Sequence, residues 1–85
     1  MLAYILYLKD SPMERELARF VDRLEELRVD SKMVEADSRE GIALSEEYDL
    51  VSRPSVALVR SDGSLIERWQ GELPLVEDIS YLAHQ

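Results

Sequence analysis

Apolar residues follow different rhythms along this chain, and each rhythm predicts a different element. Leu2 to Leu8 (LAYILYL) is an unbroken apolar run rich in Leu, Tyr and Ile, the pattern of a central strand covered on both faces. From Met13 the apolar positions return at Leu17, Phe20, Val21, Leu24 and Leu27, the three- and four-residue steps of an amphipathic helix that ends near Arg28. Val29 to Ala36 (VDSKMVEA) sets Val and Met among polar residues, which suits a strand nearer the sheet edge, stopped by Asp37-Ser38. Ile42, Ala43, Leu44 and Tyr48, after a Ser38 cap, predict a short second helix running to about Tyr48.

Ser55 to Arg60 (SVALVR) and Ser64 to Gln70 (SLIERWQ) are strand-like runs joined across Ser61-Asp62-Gly63, and Asp-Gly between apolar runs predicts an antiparallel hairpin. Gly71 ends the second run. Pro74 then stands at a helix start, followed by Leu75, Val76, Ile79 and Leu82 on the final helix. The predicted order is β-α-β-α-β-β-α. A strand, crossover helix and strand form a right-handed parallel unit, to which the hairpin adds two antiparallel strands. The expected fold class is α/β, a four-stranded mixed sheet with helices on both faces.

Length and charge narrow the picture. Eighty-five residues suffice for one domain, 1–85, and no repeat or linker divides them. With 18 acidic against 10 basic residues the formal charge is -8, which argues against nucleic acid or an anionic membrane as partner, because both require a cationic face. There is no Cys and one His, so a disulfide, a thiol nucleophile and a Cys-based zinc site are excluded. The acidic clusters Glu25-Glu26, Glu46-Glu47 and Glu77-Asp78 lack the loop spacing of a calcium site, and no cofactor is expected. The apolar run at Met1 to Leu8 has no basic flank before it and stops at Lys9-Asp10, too short for a signal peptide or a spanning helix. The expectation is a cytoplasmic protein.

The element order resembles the thioredoxin-like superfamily at glutaredoxin size, and the resemblance covers nearly the whole chain. Its most specific part is Tyr48-Asp49-Leu50-Val51-Ser52-Arg53-Pro54-Ser55-Val56-Ala57-Leu58, similar to the thioredoxin stretch of a Tyr, a small turn, a β-branched residue, variable positions, Pro-Thr and an apolar strand. Asp62-Gly63 matches that family's hairpin turn and Gly71 the glycine ending its last strand. The resemblance implies that Pro54 is cis and faces the site. Where the family keeps Cys-x-x-Cys, this chain reads Ser11-Pro12-Met13-Glu14. A Ser hydroxyl neither ionises near neutral pH nor forms an exchangeable bond to sulfur, so thiol–disulfide exchange is lost. Glutaredoxins also resemble one another in a Gly-Gly pair followed by an acid, which binds glutathione; here Gln70-Gly71-Glu72 retains half of it. Glutathione transferases, some with a catalytic Ser, carry Glu-Ser after a similar hairpin, where this chain has Glu67-Arg68.

The candidate residues each carry two readings. Ser11 is either a nucleophile or a helix start, with Ser11 as N-cap, Pro12 at the first helical position and Glu14 completing a capping box. A Ser nucleophile needs a base, and the sole candidate, His84, sits near the end of the last helix where it complements the helix dipole. Arg53 either forks onto a partner's carboxylate or pairs with a local acid. Trp69 marks an interaction surface or packs on the sheet. Arg15, Arg19 and Arg23 form a stripe read as a solvated face paired with Glu16, Asp22 and Glu26. The resulting expectation is a redox-inactive protein- or peptide-binding adaptor, not an enzyme, monomeric or weakly dimeric. Its partner would meet Ser11, Pro12 and Met13, Arg53, Pro54 and Ser55, and Gly71, Glu72 and Leu73. The alternatives are a glutathione-handling enzyme using Ser11 and a structural subunit that dimerises through an edge strand.

Overall fold

Strand β1 (Leu2–Tyr7) lies inside a four-stranded sheet in the computed structural model, which describes all residues, 1–85. Helix α1 (Glu14–Glu26) leads to β2 (Ser31–Glu35), parallel to β1 with Ala3 beside Ser31 and Tyr7 beside Glu35. Helix α2 (Arg39–Tyr48) leads to β3 (Ser55–Val59), antiparallel on the other side of β1 with Leu6 beside Ser55. β4 (Leu65–Gln70) folds back against β3, and α3 (Val76–Ala83) closes the chain. The sheet order is therefore β2-β1-β3-β4, with β2 and β4 at the edges.

Side chains alternate across a strand, so the sheet builds a core on each face. Ala3, Ile5, Val56 and Leu58 pack against Leu17, Phe20 and Leu24 of α1 and Val76 and Ile79 of α3. Leu6, Ala57 and Val59 pack the opposite way, against Leu44 and Tyr48 of α2 and Leu50 beyond it. Burial of each such Leu or Ile contributes about 1.5–3 kcal/mol, and the unbroken apolar run of β1 is the consequence of being covered twice.

Local chemistry sets the element ends. α1 stops because Arg28 turns left-handed at φ 59°, which lets the Val29 amide reach the Leu24 carbonyl and the Arg28 amide reach Glu25. This turn takes Val29 and Asp30, so β2 begins at Ser31 and ends at Glu35, shorter than the expected 29–36. Ser38 caps α2 through a bond from the Gly41 amide to its hydroxyl at 3.0 Å. At Gly41 a side chain has no room, since a Cβ would stand 2.8 Å from the Ala36 carbonyl oxygen. In the hairpin, Gly63 takes φ 90°, and the Ser64 amide and hydroxyl hold the Asp62 carboxyl below the usual carboxylate range. Pro74 is not the first helical residue: Leu75 is the extended cap whose carbonyl accepts from Asp78 and Ile79, and Pro74 precedes it.

Candidate functional site

Because β1 and β3 are antiparallel, the end of β1 and the start of β3 meet at one end of the sheet. Ser11 and Met13 thereby come beside Arg53 and Pro54, in a hollow of about 40 Å³ completed by Tyr7, Leu8 and Leu17. The Arg53–Pro54 peptide bond is cis. The Pro54 carbonyl accepts from the Gly71 amide at 2.9 Å, which ties the end of β4 to the start of β3.

Ser11 is not the helix cap. Its carbonyl accepts from Glu14 at 3.3 Å and its hydroxyl from the Met13 amide at 3.1 Å, forming a turn with Pro12 second and Met13 third at φ -87°, ψ 4°. Pro favours the second place of such a turn, so the residues that suit a helix start also suit the turn that precedes one. α1 begins only at Glu14, with no side-chain cap bond and no capping box. Nor does a base approach Ser11. His84 lies at the other end of α1, where its Nε2 is 2.8 Å from the Leu27 carbonyl oxygen.

Arg53 pairs with no acid of its own chain. Its guanidinium donates to the carbonyls of Leu50 and Ser52, each at 3.0 Å, and to the Ser45 hydroxyl at 2.9 Å, and no carboxylate is involved. Ser45 passes its own hydrogen to the Gly41 carbonyl, so the side chain stitches the loop before Pro54 onto α2. Gln70 holds the same loop from the other side, its Oε1 accepting from the amides of Val51 and Ser52. The backbone N–H and C=O of Arg53 itself meet no hydrogen-bond partner. Beside them, large apolar side chains reach solvent: Leu8, which lines the hollow, is 45% exposed, and Val51, two residues before Arg53, is 78% exposed.

The remaining expected residues separate. Ser55 is 0% exposed, with its hydroxyl buried and unpartnered, because it points to the α2 face of the sheet with Ala57 and Val59; it is not on the surface. Pro12 is exposed on the turn. Glu72 and Leu73 leave the hollow and line a wider depression with Trp69, Gln70 and Pro74. Trp69 packs its inner part on the core, as strand-face packing requires. Of the arginine stripe, Arg23 pairs with Glu26 and, across to α3, with Glu77. The sequence contained no signal for Ser45 and Gln70 as anchors, since both act on residues remote in the chain. Leu8, apolar just before Lys9-Asp10, was the one visible hint of an exposed rim.

No three His, Asp or Glu side chains converge as metal ligands, and no helix is long and apolar enough to cross a membrane. Neither a family model nor a curated protein matches the sequence. Solved structures do. Thioredoxin 1 from Thermosipho africanus superposes with a TM-score of 0.70 at 8% identity, covering 99% of this chain and 91% of that one. A putative disulphide-isomerase from Bacteroides thetaiotaomicron gives 0.71 at 14% identity over 96% of this chain and 75% of that one. A thioredoxin from Thermus thermophilus gives 0.63 at 24% identity over 98% and 71%. The chain thus has a thioredoxin-like fold without a Cys-x-x-Cys motif. It contains no cysteine anywhere, so it has no thiolate with which to exchange disulfides.

Proposed function

We propose that this chain is a redox-inactive binding or adaptor module, not an enzyme, which takes an extended apolar segment of a partner protein across the Arg53–Pro54 face. The observation that carries this reading is the unpaired backbone N–H and C=O of Arg53 beside an apolar hollow. An extended segment supplies both missing partners, as in strand addition. Two such bonds contribute only about 0.5–1.5 kcal/mol each, so apolar contact with Leu8 and Val51 must provide most of the affinity, at roughly 25 cal/mol per Å² buried. Glutathione is less well served. It carries two carboxylates, while the face offers a single guanidinium whose Nη1 hydrogens and one Nη2 hydrogen already bond Leu50, Ser52 and Ser45.

The test is selection of displayed heptapeptides against the pure chain, followed by titration of the best binder into ¹⁵N-labelled protein. Amide shifts are expected at Leu8, Ser11, Ser52, Arg53 and Ser55, and Val51→Asp should abolish binding while the fold persists. Failure to select a binder, or a binder that leaves these amides unmoved, overturns the reading. A parallel titration with glutathione that moves Ser11 would favour the enzyme alternative instead.

A further inference from the structure

The cleft between β4 and α3 has a chemistry that the Arg53–Pro54 face lacks. Glu67 and Trp69 of β4 and Asp78, Tyr81 and Leu82 of α3 line a shallow space of about 310 Å³. Glu67 and Trp69 are two apart and so share one face of the strand, the face on which Leu58 and Val56 meet α3. Asp78, Tyr81 and Leu82 are three and four apart and share one face of the helix. Trp69 is half-buried, whereas Tyr81 is 69% exposed. Neither carboxylate has a cation. The ion pairs of the molecule join Arg23 to Glu26 and Glu77, Lys32 to Glu40, and Arg68 to Asp49 on the opposite face of β4.

We propose that this cleft is a docking site for a Lys or Arg side chain carried on an extended segment of a partner protein. An aromatic face attracts a cation through its quadrupole, the two carboxylates add Coulomb attraction, and the net charge of -8 steers basic segments toward the molecule. The extended form follows from the edge position of β4, which has no strand on its outer side; its outward Arg68 amide is held at 3.1 Å by the Glu67 carboxylate, a bond that an arriving segment exchanges for its own carbonyl as its cation takes the carboxylate. A segment laid along that edge sets alternate side chains over Glu67 and Trp69. A second copy of this chain does not fit. Two-fold pairing of β4 with itself keeps each face with its like, so the two registers that span the strand are centred on Glu67 or on Arg68. Either one sets identical charges directly opposite each other.

Trp69 is the only tryptophan and borders both this cleft and the depression at Gly71 to Pro74, so its fluorescence reports binding and the Tyr81 resonance assigns it to this cleft. The probe is the acetylated, amidated pentapeptide Thr-Lys-Val-Lys-Thr, with acetyl-lysine and glutamate versions as controls. The lysine peptide should change Trp69 emission saturably and move the Trp69 indole N–H and Tyr81 resonances, with both controls at least about tenfold weaker. Glu67→Gln with Asp78→Asn should erase that preference. Glu46→Gln with Glu47→Gln removes the same charge from an exposed part of α2 and should preserve it. Tyr81→Ala, at an exposed position, should weaken binding without unfolding the chain. The proposal is overturned if the α2 pair weakens binding as much as the cleft pair, since the attraction is then only to net charge. Equal binding of the acetyl-lysine peptide, no saturable response, or shifts confined to the amides around Arg53 overturn it as well.

Discussion

Tyr48 donates its phenolic hydrogen to the Gly63 carbonyl at 2.7 Å, fastening the last turn of α2 to the hairpin tip 15 residues further on. The ring is also part of the core between α2 and the sheet. One side chain thus joins packing to turn geometry, and it does so from the stretch by which the sequence resembles thioredoxins.

Tyr48→Phe removes that bond and keeps the ring, so it should cost about 0.5–1.5 kcal/mol in urea denaturation. It should also change the alkaline limb. Burial, helped by Glu47, pushes the Tyr48 hydroxyl above its ordinary value of 10.0. The folded chain therefore holds this proton more tightly than the unfolded chain. Its contribution to stability is complete below about pH 10 and is lost as pH rises through the higher folded value. The Phe variant should show a shallower loss of stability above pH 10 than the parent.

Gly41→Ala should destabilise strongly. A Cβ there runs into the backbone carbonyls of Glu35, the last residue of β2, and of Ala36 just past it, whose amide is held by the Tyr7 carbonyl, so neither can rotate away. Forcing atoms into a packed region costs about 1–3 kcal/mol or more. Thermal unfolding should register the loss, with Ala43→Gly on the exposed side of α2 costing only about 0.5–1 kcal/mol.

Ser55→Ala should leave stability unchanged or raise it by about 1 kcal/mol, because a buried hydroxyl without a partner carries an unrepaid desolvation cost of about 1–3 kcal/mol. A rise in the urea midpoint with unchanged slope is the expected result. A fall would show that the hydroxyl has a partner.

Ser11→Cys with Glu14→Cys should create an intramolecular disulfide. The two residues are the first and last of a hydrogen-bonded turn, which brings their Cα atoms within about 7 Å, the outer limit for a disulfide. Losing the Ser11 hydroxyl bond costs about 0.5–1.5 kcal/mol, tolerable in a domain stable by roughly 5–15 kcal/mol. Mass spectrometry after alkylation should find both thiols protected, and amide spectra should retain the parent dispersion.

The fold was largely legible because its signals are local. The uniform run of β1, the helical steps from Met13 to Leu27 and the Asp62-Gly63 turn each express preferences of neighbouring residues. The candidate site was legible in part. Ser11, Met13, Arg53 and Pro54 do share a hollow, but Ser55 lies beneath the surface and Glu72 and Leu73 turn elsewhere. Ser55 lies hidden because β3 is covered on both faces along its whole length, so its first residue is buried whichever way it points. Ser-Pro serves equally well in a helix cap and in a turn, and only the position of the first helical bond separates the two for Ser11.

By itself, the sequence determined the seven elements and their order, the hairpin, the acidic balance and the absence of any thiol chemistry. Those depend on residue identity and on intervals of a few residues, where covalent geometry and side-chain polarity decide the outcome. Only the tertiary structure decided that the Arg53 guanidinium is spent on Leu50, Ser52 and Ser45 while its backbone stays open, and that Glu67 and Trp69 face Asp78 and Tyr81 across a cleft. Both arrangements rest on distances between segments far apart in the chain. Close packing of the two cores sets those distances to a fraction of an ångström, and a hydrogen bond or a charged cleft exists only on that scale.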